Sequence, residues 1–303
     1  VKKGNALEMF VMKIQDNHSI KRIYNPSRKE FLELWKQYQP FIINGVVENW
    51  DACRKWSNDY LINLCGNTAI PVDVYRENFF EEYKNYAFDK SYKKSEMKLK
   101  DYIDTISTNK SGSGIAYYLA QIDFEKYFPE LIVDITYPEY FLRKPIIYFW
   151  FGYSPTTSVS HLHFDDPHNV FVQIRGRKRI ILFPPIDYLS FYTAIEDIDC
   201  MFHFSKVNPI NPDVESFPKF PWQEKIEVII EAGEILYIPP FWWHHVTAIN
   251  ENISLSFMYS PKIEDFVKQE RLLSTTLRIA SHDIPHRIRK LFSSLYHYST
   301  IVK

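Results

Sequence analysis

The feature that most limits the fold lies between Pro145 and Ser260, where short β-prone runs follow one another. IIYFWFG, SVSHLHF, NVFVQIRG, KRIILFP, IEVIIEAG, EILYIP, HHVTAIN and NISLSFMYS are separated by Gly, Pro or Asn turns. Each is rich in β-branched and aromatic residues and short for a helix. Many short strands so punctuated fold as a sandwich or a closed barrel. A chain of 303 residues holds one such barrel with flanking elements. At 46% hydrophobic and 17% aromatic residues it has ample material for the core.

The flanks read differently. Ser27 followed by Glu30 predicts the capped start of a helix with Phe31, Leu32, Leu34 and Trp35 on its apolar side. Pro40 ends it, and Phe41 to Gly45 reads as a short buried strand. Trp50 to Leu64 has helical spacing. Ile70 to Tyr75 is strand-like and carries Asp73 in an apolar run. Residues 76–95 read as a surface excursion, Leu99 to Ile106 as a helix, Ile115 to Ala120 as a strand, and 186–222 as an insertion rich in Pro and aromatics. After Pro261 two amphipathic helices are expected, with Pro285 opening the second. The expected organisation is a mainly β domain over 1–260, its β core at about 115–260, and a helical extension over 261–303 as a candidate homodimerisation element.

A net charge of −1 gives no global attraction to nucleic acid. Cys53, Cys65 and Cys200 are scattered and odd in number, which suits a reducing compartment and offers no zinc module. No run approaches the ~18 apolar residues of a membrane helix, and VKKGNALEMF lacks a signal-peptide core. The expected location is the cytoplasm.

Chemistry concentrates in SVSHLHFDDPHNVFVQIRGRKRIILFPP. His163 and Asp165 stand two apart, so on an extended segment both leave one face. One nitrogen and one oxygen so placed, joined by a second histidine, make the 2-His-1-carboxylate set that leaves positions open on Fe(II). His244, in YIPPFWWHHV, is the candidate for the second. Lys178, beyond the Arg175-Gly176 turn, is expected to return in a hairpin toward the strand bearing the ligands. A buried lysine is rare without a partner, and a cosubstrate carboxylate would supply one.

HLHFDDPHNVFVQIRGRKRIILFPP and GEILYIPPFWWHHV resemble the JmjC, cupin-like Fe(II)/2-oxoglutarate oxygenases. The similarity is to the small hydroxylase branch that includes arginyl hydroxylases and the asparaginyl hydroxylase of hypoxia-inducible factor. It runs from about Pro40 to Ser260 and takes in YYLAQIDFEKYFPEL, WFG at Trp150 to Gly152, SFPKFP, and ISLSFMYS at its end.

The resemblance implies a double-stranded β-helix (jelly-roll) core with N-terminal α/β elements. It implies Fe(II) on His163, Asp165 and His244, and 2-oxoglutarate held by Lys178, Tyr118, Asn169 and Ser160, with O2 as the oxidant. Asp73 and Trp150 match substrate-contacting positions of the arginyl hydroxylases. Ser256-Phe257-Met258-Tyr259 lacks the asparagine that the asparaginyl hydroxylase has near its cosubstrate. The expected activity is hydroxylation of an amino-acid side chain in a protein or peptide, with 2-oxoglutarate decarboxylated to succinate. Alternatives are hydroxylation of a small molecule or of a modified tRNA base, and a non-catalytic cupin-fold binding protein.

Overall fold

A computed structural model describes residues 20–76, 79–81, 92–108, 114–141, 144–152, 158–193, 203–260 and 262. Among these residues the first strands are Lys21–Tyr24 (β1), Phe41–Asn44 (β2), Ala69–Arg76 (β3), Lys93–Lys98 (β4), Ile115–Asp123 (β5) and Ile146–Gly152 (β6). His163–Phe164 (β7), His168–Arg175 (β8), Lys178–Phe183 (β9), Ile226–Ile230 (β10), Ile235–Ile238 (β11), Trp243–Ala248 (β12) and Asn252–Tyr259 (β13) follow. They form a nine-stranded sheet, β1-β2-β11-β8-β13-β6-β5-β3-β4, and a four-stranded one, β10-β9-β12-β7.

From β7 onward the chain passes repeatedly between the two sheets, so strands close in sequence lie in opposite layers. This is a jelly-roll with flanking helices. The alternation of each strand sorts its side chains. Val170, Val172 and Ile174 of β8, with Ile253, Leu255 and Phe257 of β13, join a core shared with the N-terminal helices. Phe171 takes the other face and meets Ile180 and Leu182 of the small sheet. A cavity opens in this inner layer.

The helix Arg28–Trp35 (α1) begins with the expected capping box: Glu30 N–H donates to Ser27 Oγ, and Ser27 N–H donates to the Glu30 carboxylate. It buries Phe31 and Leu34. The single helix expected over Trp50 to Leu64 is instead two, Asp51–Lys55 (α2) and Asn58–Cys65 (α3). The break follows from Trp56, whose buried indole donates to Asp134 at 2.9 Å. Ser57 then caps the new helix by accepting from Tyr60 N–H at 3.2 Å.

Two further expectations are corrected. SVSHLHF is strand only at His163–Phe164, because residues 158–160 bend against β12, where Val159 N–H donates to the Val246 carbonyl at 2.9 Å. The Arg175-Gly176 turn does not close a hairpin: β8 and β9 belong to different sheets. Gly176, at φ +70°, carries the chain from one layer to the other past the Glu251 carbonyl, which a Cβ would meet at 2.1 Å. Among the described residues no helix is long and apolar enough to cross a membrane. The helical pair expected after Pro261, and most of the 76–95 excursion, fall outside the described residues.

One glycine fixes the inner layer. Gly152 lies opposite Tyr118 in the β5–β6 ladder, and a Cβ there would stand 2.2 Å from the Tyr118 ring. Gly152→Ala should destabilise the protein by roughly 1–3 kcal/mol, the range for overpacking. Truncating Tyr118 to Ala in the same chain should recover part of that loss. Urea unfolding of the two single variants and the double variant measures the coupling; strict additivity would refute the contact.

Candidate metal centre and its cavity

The two-residue strand β7 pairs with β12 so that His163 lies directly opposite His244. Side chains at such a position are neighbours, and the two imidazole rings are 4.2 Å apart. Asp165 follows two residues after His163, and its carbonyl accepts from Phe241 N–H at 2.8 Å, which ties it to the approach to β12. His163 Nε2 is 4.0 Å from Asp165 Oδ1, and His244 Nε2 is 3.6 Å from Asp165 Oδ2. One donor atom from each of the three lies within 4.8 Å of the others.

Ring orientation is set by the other nitrogens. His163 Nδ1 is 2.8 Å from the His161 carbonyl, and His244 Nδ1 is 3.0 Å from the Trp242 carbonyl. A carbonyl only accepts, so each Nδ1 carries the proton and each Nε2 presents its lone pair toward Asp165. Burial holds the His244 imidazolium well below its ordinary range. It is therefore neutral at ordinary pH, the form that ligates metals. Two neutral nitrogens and a carboxylate are the donor set of a divalent transition metal. Donors at ~2.1 Å from one ion lie about 3.0–3.4 Å apart, so closing this cluster takes less than about 2 Å of approach.

The cavity beside the triad measures about 230 Å³. The large sheet contributes Asn169, Trp150 and Ser256 to its wall, and the small sheet contributes His163, Lys178 and His244. Lys178 arrives by crossing between layers. It pairs with Ala248, four residues beyond His244 on β12. Same-face residues so spaced are about 13 Å apart along a strand, so the lysine's backbone stands well along the strand from the triad and its side chain enters the same cavity.

Lys178 is 1% exposed, and among the described residues its ammonium makes no hydrogen bond or ion pair. Its Nζ is ringed by Phe171, Tyr118 and Trp150 at 5.1, 5.8 and 5.8 Å from their centroids. Desolvation drops its pKa from an ordinary 10.5 to about 7. On the same cavity wall, the buried Asn169 amide oxygen finds no partner among the described residues. A buried lysine and an uncommitted amide on the wall of one small cavity suit a compact anion, whose charge would hold the proton on the lysine.

The remaining expected residues are spread around this centre. Ser160 lines the cavity; its Oγ accepts from Val246 N–H at 3.2 Å, which leaves the hydroxyl proton to donate. Trp150 lines it too, its indole donating to Ser256 Oγ at 3.0 Å. Tyr118 offers Lys178 its ring, but neither Tyr118 nor Asp73, which face each other across β3 and β5, forms part of the cavity wall. His168 lies behind the site, its Nδ1 2.8 Å from the Tyr237 hydroxyl. His245 takes the opposite face of β12 from His244, yet it is buried rather than facing solvent.

Three wall residues escape a reading of the sequence. Gln121 reaches the cavity because a bulge between Leu119 and Ile122 gives it φ +54°. The trace in the sequence is the three-residue spacing of Leu119 and Ile122, which share one core where an even strand would place them on opposite faces. His203 and Phe204 come from the insertion, where no periodicity marks them. Phe204 stacks on His163 at 5.5 Å and 20°.

Known proteins resemble this chain in sequence. Residues 27–265 match the family described as the cupin-like domain. The chain belongs to that family. Among its cupin-like relatives are the lysine-specific demethylase JMJ30 of Arabidopsis thaliana, 32% identical over 269 residues, and the JmjC domain-containing protein D of Dictyostelium discoideum, 32% identical over 256. The matches cover 85% and 78% of this chain but only 60% and 55% of those proteins, so the chain spans little more than half their length. The tRNA wybutosine-synthesizing protein 5 of Gallus gallus is 28% identical over 257 residues, 77% of this chain and 74% of the relative.

The state of Lys178 has a measurable consequence. The unfolded chain holds the lysine proton up to about pH 10.4, whereas the folded cupin-like domain releases it near 7. Between those values the unfolded state binds more protons, so stability rises with pH across that window. Lys178→Met should be more stable than the parent at neutral pH by on the order of a few kcal/mol, and the gap should shrink toward pH 10. Chemical denaturation without added ligands, from pH 6 to 10, tests this; parallel curves for the two proteins would contradict it.

Proposed function

We propose that the chain is an Fe(II)- and 2-oxoglutarate-dependent oxygenase that hydroxylates an amino-acid side chain in a protein or peptide. The observation that carries this reading is the pairing of a two-histidine, one-carboxylate cluster with a buried lysine, unpaired among the described residues, in one cavity. Fe(II), bound with 2-oxoglutarate, would supply the oxidation by O2, coupling decarboxylation to succinate with oxygen insertion into a substrate C–H bond.

His163, Asp165 and His244 would hold the metal, with Nε2 as the donor of each imidazole. Lys178, assisted by Asn169 and the Ser160 hydroxyl, would bind 2-oxoglutarate, the lysine taking its far carboxylate. The three rings around Lys178, Tyr118 among them, exclude water and so strengthen that charge-assisted bond. Phe204 covers one flank of His163 and restricts its rotation. Membership of a family with named lysine demethylases supports a protein substrate, and the near-zero net charge fits it. A modified tRNA base is the second reading, favoured by the similarity to the tRNA wybutosine-synthesizing relative.

The reading is tested by succinate formation with Fe(II), 2-oxoglutarate and O2 in the presence of a peptide pool. His163→Ala and Asp165→Ala should each lower turnover at least ~100-fold, as expected when the group that holds the oxidising metal is lost. Lys178→Ala should act chiefly by raising the 2-oxoglutarate concentration required, by roughly tenfold or more given the value of a charge-assisted hydrogen bond. Unchanged turnover in either triad variant would remove the metal assignment. Succinate formation stimulated by tRNA and not by peptides would favour the second reading.

A further inference from the structure

One turn reaches the supports of all three members of the metal cluster. Ile238 ends β11 and Trp243 opens β12. Between them Trp242 N–H donates to the Pro239 carbonyl at 3.3 Å, so Pro239–Trp242 is a four-residue turn. Pro240 stands at its second position, and Phe241, at φ +63°, stands at its third. This is the pattern of a type II turn, whose third position ordinarily belongs to glycine or asparagine, which enter the left-handed region with little strain. A bulky side chain there is a backbone outlier. Such strain persists only where the surroundings over-determine it, and it gathers at functional sites.

Here the surroundings are the segments that carry the metal ligands. Phe241 N–H donates to the Asp165 carbonyl at 2.8 Å. Trp242, the next residue, accepts from His244 Nδ1 at 3.0 Å through its carbonyl, and its indole donates to the Tyr38 carbonyl at 3.0 Å. The buried Phe241 ring packs on Phe164 at 5.5 Å, one residue from His163. A glycine would make the same turn without strain. It would bring no ring to Phe164, and its freer backbone would hold the amide less firmly on Asp165. The strained residue thus joins a hydrogen bond to one ligand's segment with packing against another's.

We propose that Phe241 is a positioning residue for the metal centre, its strained turn holding His163, Asp165 and His244 in one frame. What the backbone loses in stability then appears as affinity for the ion. The inference rests on the metal assignment of the three ligands and is independent of the cosubstrate and the substrate. A residue that merely filled the core would move stability alone. A positioning residue moves metal affinity in protein that is still folded.

Anaerobic titration of the full chain with Co(II), followed by its visible absorption, tests this beside urea unfolding without metal. Phe241→Gly should weaken Co(II) binding about ten- to a hundredfold, the usual effect of removing a support behind metal ligands, and should alter the absorption bands. Phe241→Leu, which restores a large apolar side chain, should recover part of that loss. A second variant leaves every side chain in place: phenyllactic acid at position 241 replaces the amide by an ester and removes only the N–H that Asp165 accepts. It should weaken Co(II) binding about two- to tenfold, the worth of one neutral hydrogen bond. Should Phe241→Gly fail to fold, the ester decides. Co(II) affinity and absorption unchanged in the ester, or in folded Phe241→Gly, would overturn the proposal. If the parent itself takes up no Co(II), the metal assignment fails and the proposal with it; if parent and variants bind alike, the proposal alone falls.

Discussion

The centre of this molecule hangs on one ladder contact, His163 against His244. Antiparallel pairing fixes which residues face each other to within a single step, and a slip of one would turn an imidazole to the wrong side of the sheet. Here the slip would bring Trp243 or His245 opposite His163. The neighbours on β12 guard the register: Trp243 packs on Phe164 at 4.8 Å and on Phe191 at 4.4 Å, so an apolar core on one face positions the two histidines on the other. Packing here does for the metal centre what no local propensity can.

The same separation of faces organises the electrostatics. Apolar residues on the outer face of the large sheet support it from behind, which frees its inner face to carry Asp73, Asn169, Ser254 and Ser256. Lys178 reaches the same space from the opposite sheet. The Tyr118 ring lies against Lys178 on one side and opposite Asp73 in the ladder on the other. Asp73 is instead met by Lys94 at 3.0 Å, and Lys178 keeps no ion pair among the described residues.

Much of this is legible in the sequence. The strand succession after Pro145, the capping box at Ser27 and the pattern H-x-D with a distant histidine follow from period, turn chemistry and donor type. Local rules fail where tertiary contacts decide. Trp56 interrupts a helical pattern because Asp134 lies within reach of its indole. A Gly-containing turn between two strands does not say whether they pair or part, so the path that brings Lys178 to the cavity is hidden until both sheets are known. Asp73 stands out as a carboxylate in an apolar run, but its opposition to Lys94 depends on a register that no single strand contains. Phe204 and His203 carry no signal, since an insertion without regular period gives no hint of the face its residues will meet.

The stretch around Phe204 ties two parts of the protein together. Phe164 N–H donates to the His203 carbonyl at 3.1 Å and Ser205 N–H to the Leu162 carbonyl at 2.8 Å, so the returning insertion hems the side of β7 that β12 leaves open. Ser205 in turn anchors that return by donating its hydroxyl to the Phe191 carbonyl at 2.6 Å. A surface excursion is usually where a protein family drifts at little cost. In this chain the excursion is also the outer rail of the shortest of the described strands, and remodelling it would loosen the strand that holds His163 opposite His244.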